Sequence, residues 1–131
     1  MIKILLMFLL VTSVGVCKPI EEIVNNLITI ESAGNNSAIG DNGKAVGCLQ
    51  IHPIMVRDVN RILGKEVYTL SDRLSRQKSV EMASIYFNHY CKGDTEEQMV
   101  RKWNGGPKGD RKKSTIKYWK KYQTVSKYDI I

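Results

Sequence analysis

From Pro19 onward the apolar positions fall at helical spacing: Ile20, Ile23, Val24 and Leu27 recur at steps of three and four residues. That stripe predicts a helix over Pro19 to Ser32. Proline suits its first position, Glu21 and Glu22 stand where the positive end of the helix dipole favours acids, and Ala33-Gly34-Asn35 supplies the stop. The next position of the stripe, four after Leu27, is Glu31. A carboxylate there has hydrocarbon neighbours on its own face, and it lies in the last turn, where the dipole opposes ionisation. Desolvation and dipole both push its pKa up, as a general acid working near neutral pH requires. The plainer reading lets Glu31 escape to solvent as the helix frays.

The rest of the chain keeps a mainly helical period. Ser37 to Ile51 is Gly-rich, and its Asp41-Asn42-Gly43 turn, flanked by Ala38-Ile39 and Ala45-Val46, predicts a small β-hairpin. Val56, Val59 and Leu63 share one face of a helix over Ile54 to Leu63, with Arg57, Asp58 and Arg61 outward. Ser71 to Cys91 reads as one long helix with room for a bend, carrying Leu74, Val80, Met82, Ala83, Tyr86 and Tyr90. Asp94 with Glu97, or Thr95 with Gln98, forms a capping box for a helix over Glu96 to Trp103, which Gly105 and Gly106 end. The last helix covers about Ser114 to Thr124, with Ile116, Trp119 and Tyr122 facing inward. The class is mainly α (α+β): one helical domain with a small hairpin and one core.

The start of the chain does not belong to that domain. Lys3 followed by the apolar run Ile4 to Val16 is short for a bilayer span and has the build of a secretory signal. The expected organisation is a signal peptide at 1–17, the domain at 18–125 and a C-terminal tail at 126–131. Cys17 invites a lipoprotein reading, but Val16 is bulky where a lipoprotein signal has a small residue, so simple export to periplasm or exterior ranks first. Export would place Cys48 and Cys91 in an oxidising compartment. A disulfide between them would be worth roughly 4 kcal/mol on the chain-entropy model; the alternative is that both are small buried hydrophobes. His52 and His89 are far apart, and no cluster of Cys, His and acids has metal-ligand spacing, so neither metal nor cofactor is expected.

Four stretches carry a family likeness. Glu31-Ser32, then Ala38, Gly43 and Gly47-Cys48-Leu49-Gln50-Ile51, resemble the first two motifs of lytic transglycosylases of the soluble, goose-lysozyme-like kind. Ala83-Ser84-Ile85-Tyr86-Phe87 resembles the third motif, and Trp103-Asn104-Gly105-Gly106-Pro107 the last. Each alone is weak; their order and spacing make the resemblance, which spans Ile20 to Tyr122. The chain departs from the pattern in three places. One extra residue separates Gly43 from Gly47, Gly40 replaces a common Ser, and Trp103 replaces a Tyr whose hydroxyl normally lies near the catalytic acid.

The resemblance implies a lysozyme-like fold, a lyase reaction on peptidoglycan, and roles for particular residues. Glu31 would protonate the glycosidic oxygen and then act as base on the muramic C6 hydroxyl, giving a 1,6-anhydro end. Gln50 would hydrogen-bond the sugar near the scissile bond, and Asn104 would hold an acetamido group or order the Glu31 side. Tyr86 and Trp103 would form wall or stacking surface, and Gly105 would let the glycan approach the backbone. A hydrolytic muramidase is the rival and needs a second carboxylate, for which Asp41 is the nearest candidate and Asp58 a weaker one. From another class, the domain would be a non-catalytic envelope-binding component of a secretion or phage assembly.

Charge adds a partner class. The formal net charge is +7, from 20 Lys and Arg against 13 Asp and Glu. Much of it lies in Lys108 to Lys121, where seven basic residues face only Asp110. Such a surface attracts polyanions, and in an exported protein these are anionic envelope polymers. Nucleic acid is set aside: Tyr118, Trp119 and Tyr122 interleave the basic residues but fall at core spacing. A solvated helix face is the blandest account. The chain is expected to act as a monomer.

Overall fold

The computed structural model describes residues 18–126. The expected signal peptide at 1–17, with Cys17, and the tail beyond Ser126 lie outside the described residues. Among these residues the helices are α1 Ile20–Ser32, α2 Pro53–Leu63, α3 Arg76–Tyr90, α4 Glu96–Gly105 and α5 Ile116–Ser126. Strands β1 Ile39–Gly40 and β2 Ala45–Val46 pair antiparallel, Ile39 opposite Val46 and Gly40 opposite Ala45. No helix among the described residues is long and apolar enough to cross a membrane.

The stripe on α1 is the inner face of the fold. Ile23, Val24 and Leu27 are buried, joined by Ile28, and α1 packs against α3, α4 and α5. Leu49, Ile51, Val59, Met82, Phe87 and Val100 complete the centre of that core. Each such side chain stabilises the fold by about 1.5–3 kcal/mol relative to exposure. The helix stops where its sequence says it should: Ala33 turns left-handed at φ 51 and returns its N–H to the Thr29 carbonyl.

Two details differ from the sequence expectation, and a third decides between two alternatives it left open. The long helix over Ser71 to Cys91 is broken at Ser75, because two capping devices stand back to back. Thr69 and Asp72 cap a 3-10 turn over Leu70–Leu74, and Ser75, in an extended conformation, caps α3 by accepting from the Lys78 N–H. Leu74 is thereby left at the surface. Helix α4 takes the Thr95–Gln98 capping box rather than the Asp94–Glu97 one, since Asp94 pairs with Lys102 at 2.6 Å. Helix α5 departs from the expected face at one position: Tyr122 is fully buried and Trp119, stacked on it at 5.6 Å, is partly buried against the core, but Ile116 is exposed. Tyr118, one turn before Tyr122, also packs against the core.

A hairpin with two residues per strand is marginal by itself. Its position comes from outside. The buried Arg73 donates from Nε to the Leu70 carbonyl (2.8 Å) and from Nη1 to the Lys44 and Ile51 carbonyls (both 3.0 Å). Burial works against the Arg73 charge, and three carbonyl acceptors compensate it. Ser32, directly after Glu31, donates to the Cys48 carbonyl at 2.7 Å and so ties the end of α1 to the turn after β2. Gly47, at φ +86, lets the chain pass close to Arg73: a Cβ there would lie 1.8 Å from the Arg73 carbonyl oxygen.

The disulfide considered between Cys48 and Cys91 is not formed. Both are free and buried. The Cys48 thiol lies against Ser79, near the start of α3, while Cys91 caps the far end of the same helix. Twelve residues of helix place those ends about 18 Å apart, well beyond the roughly 4.4–6.8 Å between the Cα atoms of a bridged pair. Burial raises the pKa of both thiols, that of Cys91 to about 12, so they behave as small hydrophobes.

Candidate active site

The last turn of α1, the hairpin, α2, α3 and the end of α4 enclose a cleft of about 810 Å³. Its lining brings together Glu31, Gln50, Tyr86, Trp103 and Asn104, which sequence alone scatters over more than half the chain. Gly105 is not among the lining residues. Its missing side chain accommodates Thr115, whose methyl would meet an added Cβ at 2.5 Å, and the backbone that borders the cleft is Gly106-Pro107.

Glu31 lies on the wall of this cleft, largely wrapped by α1 and α5. Burial raises its pKa. The Tyr118 hydroxyl, which donates to Glu31 Oε1, and the charge of Lys121 both oppose the rise without cancelling it. Tyr118 is itself pushed far above the ordinary phenol range by burial and by the neighbouring carboxylate, so it remains a donor at every working pH. Removing that hydroxyl by Tyr118→Phe takes away a group that favours the ionised form. The Glu31 pKa then rises further, and a rate that needs protonated Glu31 declines at a higher pH than in the wild type. A pH–rate profile checks this; a decline displaced to lower pH would contradict the arrangement.

Gln50 sits at φ 50 with its side chain folded back, Nε2 donating to the carbonyls of Ala38 (3.1 Å) and Gly47 (3.0 Å). Both amide hydrogens are thus engaged in bracing the hairpin, and only Oε1 is left to accept from a ligand. This explains the glycine at position 40: a Cβ there would meet Gln50 Oε1 at 2.4 Å. The hairpin turns through the 3-10 segment Asp41–Gly43, where Asp41 and Asn42 both adopt left-handed φ angles of 49° and 54°. Asp41 lines the cleft and pairs with Nε2 of His52 at 3.1 Å. His52, for which the sequence suggests no ligand role, lines the cleft as the residue preceding α2.

The aromatic wall is a packed unit. Trp103 is buried against Phe87 at 5.5 Å and meets Tyr86 edge-on at 5.8 Å. Tyr86 donates its hydroxyl to the Lys102 carbonyl at 2.9 Å. Position 103 supplies no hydroxyl to Glu31; the one present comes from Tyr118. Asn104 is exposed at the cleft edge. Asp58 is occupied at the α2 end: Tyr90 donates to it at 2.6 Å and Arg61 at 2.7 and 2.9 Å. Burial raises its pKa, but those donors outweigh it and hold the carboxyl below its usual range, so Asp58 stays ionised and paired. Among the described residues no group of His, Cys, Asp and Glu converges to hold a metal ion.

Tyr118, His52 and Arg73 are the residues that the sequence does not bring forward. Tyr118 has a readable signal: with Tyr122 it forms an i, i+4 aromatic pair on a helix otherwise lined with lysines.

No curated protein matches the chain. One chain of the crystal structure of Aeromonas hydrophila PliI in complex with Meretrix lusoria lysozyme is similar, with a TM-score of 0.69 at 27% sequence identity, over 81% of this chain and 89% of that one. The family model for the transglycosylase SLT domain matches residues 20–126, from the first residue of α1 to the last of α5. With the match running through all five helices and the hairpin, this chain belongs to the transglycosylase SLT domain family.

Proposed function

We propose that the domain is an exported lytic transglycosylase that cleaves the β-1,4 bond between MurNAc and GlcNAc in peptidoglycan, with Glu31 as its single acid and base. The observation that carries this reading is the carboxyl itself, partly buried on the wall of an 810 Å³ cleft with its pKa raised by desolvation. Protonated Glu31 gives its proton to the glycosidic oxygen as the C1–O4 bond breaks. The carboxylate then takes the proton of the muramic C6 hydroxyl while O6 bonds to C1. One proton has left and one has returned, no water is consumed, and the product carries a 1,6-anhydro end. Tyr118 steadies the ionised stage between the two transfers, and Lys121 adds favourable charge. Gln50 Oε1 accepts from a sugar hydroxyl, Asn104 bonds an acetamido group at the rim, and Trp103 with Tyr86 keeps water from the Glu31 side.

Mass spectrometry of the soluble products of purified peptidoglycan tests the reading. Anhydro ends are expected; reducing ends alone would overturn the lyase outcome.

A hydrolytic muramidase is the second reading, because Asp41 lines the same cleft as Glu31. It would require Asp41 to activate water. Against it, Asp41 is held by His52 and occupies a turn that Asn serves equally well. Asp41→Asn is therefore expected to change the rate by less than about threefold. A fall as deep as the 10²–10⁴-fold contribution of a general base, with reducing ends from the wild type, would hand the reaction to the hydrolase.

A further inference from the structure

Helix α5 carries Lys117, Lys120, Lys121 and Thr124 at i, i+3, i+4 and i+7, so one stripe of the helix presents three ammonium groups. The stripe borders a groove of about 600 Å³ whose other walls include Asn104 and Tyr118. Like charges at this spacing repel, which brings nothing to the fold. Three lysines elsewhere are paired, Lys18 with Glu96, Lys78 with Asp72 and Lys102 with Asp94. Among the described residues none of the three groove lysines is in an ion pair, and the carboxylate whose field reaches the groove is Glu31, through Lys121. The result is a concave, uncompensated positive site.

The groove and the catalytic cleft adjoin at Asn104. Asn104 lines both, and Tyr118 forms the groove wall while holding Glu31 from behind. A substituent on a sugar whose anomeric carbon sat at Glu31 would reach the lysine groove by passing Asn104. On peptidoglycan that sugar is the muramic residue, and its substituent is a peptide joined through a lactyl ether and bearing free carboxylates. Lysine suits such a guest: a flexible point charge follows several mobile carboxylates, whereas arginine's rigid fork selects a single planar one.

We propose that the groove of Lys117, Lys120 and Lys121 binds the carboxylates of the stem peptide on the muramic residue undergoing cleavage, so that the enzyme favours peptide-bearing glycan over naked glycan. The proposal rests on the transglycosylase reading of the cleft. It separates two parts of the same substrate, the backbone read by the cleft and the peptide read by α5.

The test uses the double variant Lys117→Gln/Lys120→Gln, with Lys121 left in place because its charge acts on Glu31. Two substrates are compared: glycan strands with their peptides, and the same strands stripped of peptides by an amidase. On peptide-bearing strands at low ionic strength kcat/KM is expected to fall about 3- to 20-fold, as the loss of two exposed charge pairs implies. The loss should appear in KM with kcat and the pH profile unchanged, and it should shrink as salt rises. On stripped strands the variant should equal the wild type. Equal losses on both substrates, or none on either, would overturn the proposal. So would a loss confined to strands carrying wall phosphate polymers, which would make the groove a phosphate site. Binding of both labelled strands is also measured with the lysine changes placed on a Glu31→Gln background. If the wild type cleaves neither substrate, the catalytic reading has failed. The binding ratio still decides the groove: a peptide preference lost with the lysines supports it, and no preference overturns it.

Discussion

Glu31→Gln will remove glycan cleavage and leave a more stable protein at neutral pH. Glutamine keeps the shape of the side chain and can still accept from Tyr118, but it has no proton to give. The rate should fall by at least the 10²–10⁴-fold that general acid–base catalysis supplies. The stability effect follows from linkage. Glu31 has a higher pKa folded than its ordinary 4.5, so the folded state holds the proton more tightly. The stabilisation that the protonated group confers is present below the ordinary value and is lost as pH rises through the folded one. At neutral pH the ionised group costs stability, and the uncharged amide does not. Thermal melts of both proteins should therefore separate at pH 7, with the variant higher, and converge below about pH 4.5. Wild-type turnover in the variant would move the chemistry to another residue; a lower melting temperature at pH 7 would mean that Glu31 is better solvated than its surroundings imply.

Gly47→Ala should destabilise the domain by about 3 kcal/mol, and lower its melting temperature by on the order of 12–24 °C. Two effects combine. The φ of +86° disfavours any Cβ, and the Cβ itself would stand 1.8 Å from the Arg73 carbonyl oxygen. That carbonyl has no freedom to retreat, because Ser79 donates to it at 3.0 Å and the guanidinium of the same residue is fixed by three other carbonyls. Gly43 supplies the control. It has the same φ of +86°, and a Cβ added there would meet nothing within 4 Å, so Gly43→Ala should cost only about 1 kcal/mol. Equal losses in calorimetry would show that the close approach to Arg73 carries no weight.

These two residues mark how far the sequence can be read. Glu31 is legible because a helix stripe of period 3.6 makes one misplaced carboxylate conspicuous, and local spacing is what a sequence records best. The hairpin is legible for the same reason, from Asp41-Asn42-Gly43 between short apolar pairs. What reaches across the chain is not. Nothing near Arg73 says that its charge will be spent on the carbonyls of Lys44 and Ile51, and nothing near Tyr118 says that its hydroxyl will meet a helix 87 positions earlier. The apolar pattern of α5 hides it further: Trp119 and Tyr122 lie against the core as hydrophobicity suggests, but Tyr118 joins them where Ile116 does not, and both tyrosine hydroxyls find polar partners. Tyr122 accepts from Asn26 and donates to Glu96, as Tyr118 donates to Glu31. Buried polar groups must find partners, and that need overrides the apolar pattern. The break at Ser75 escapes the pattern too, because two capping residues close together look, by periodicity alone, like one bent helix.

On the transglycosylase reading, the separation of Cys48 from Cys91 bears on when this domain would become dangerous to the cell that makes it. A fold that owes nothing to a sulfur–sulfur bond matures in the glutathione-rich cytosol as readily as outside it. Reducing power would then provide no safety catch on such an enzyme, as it does for secreted proteins that stay unfolded until oxidised. On that reading the barrier between enzyme and target would be geographical: the side of the membrane on which the domain stands, and the moment at which it crosses.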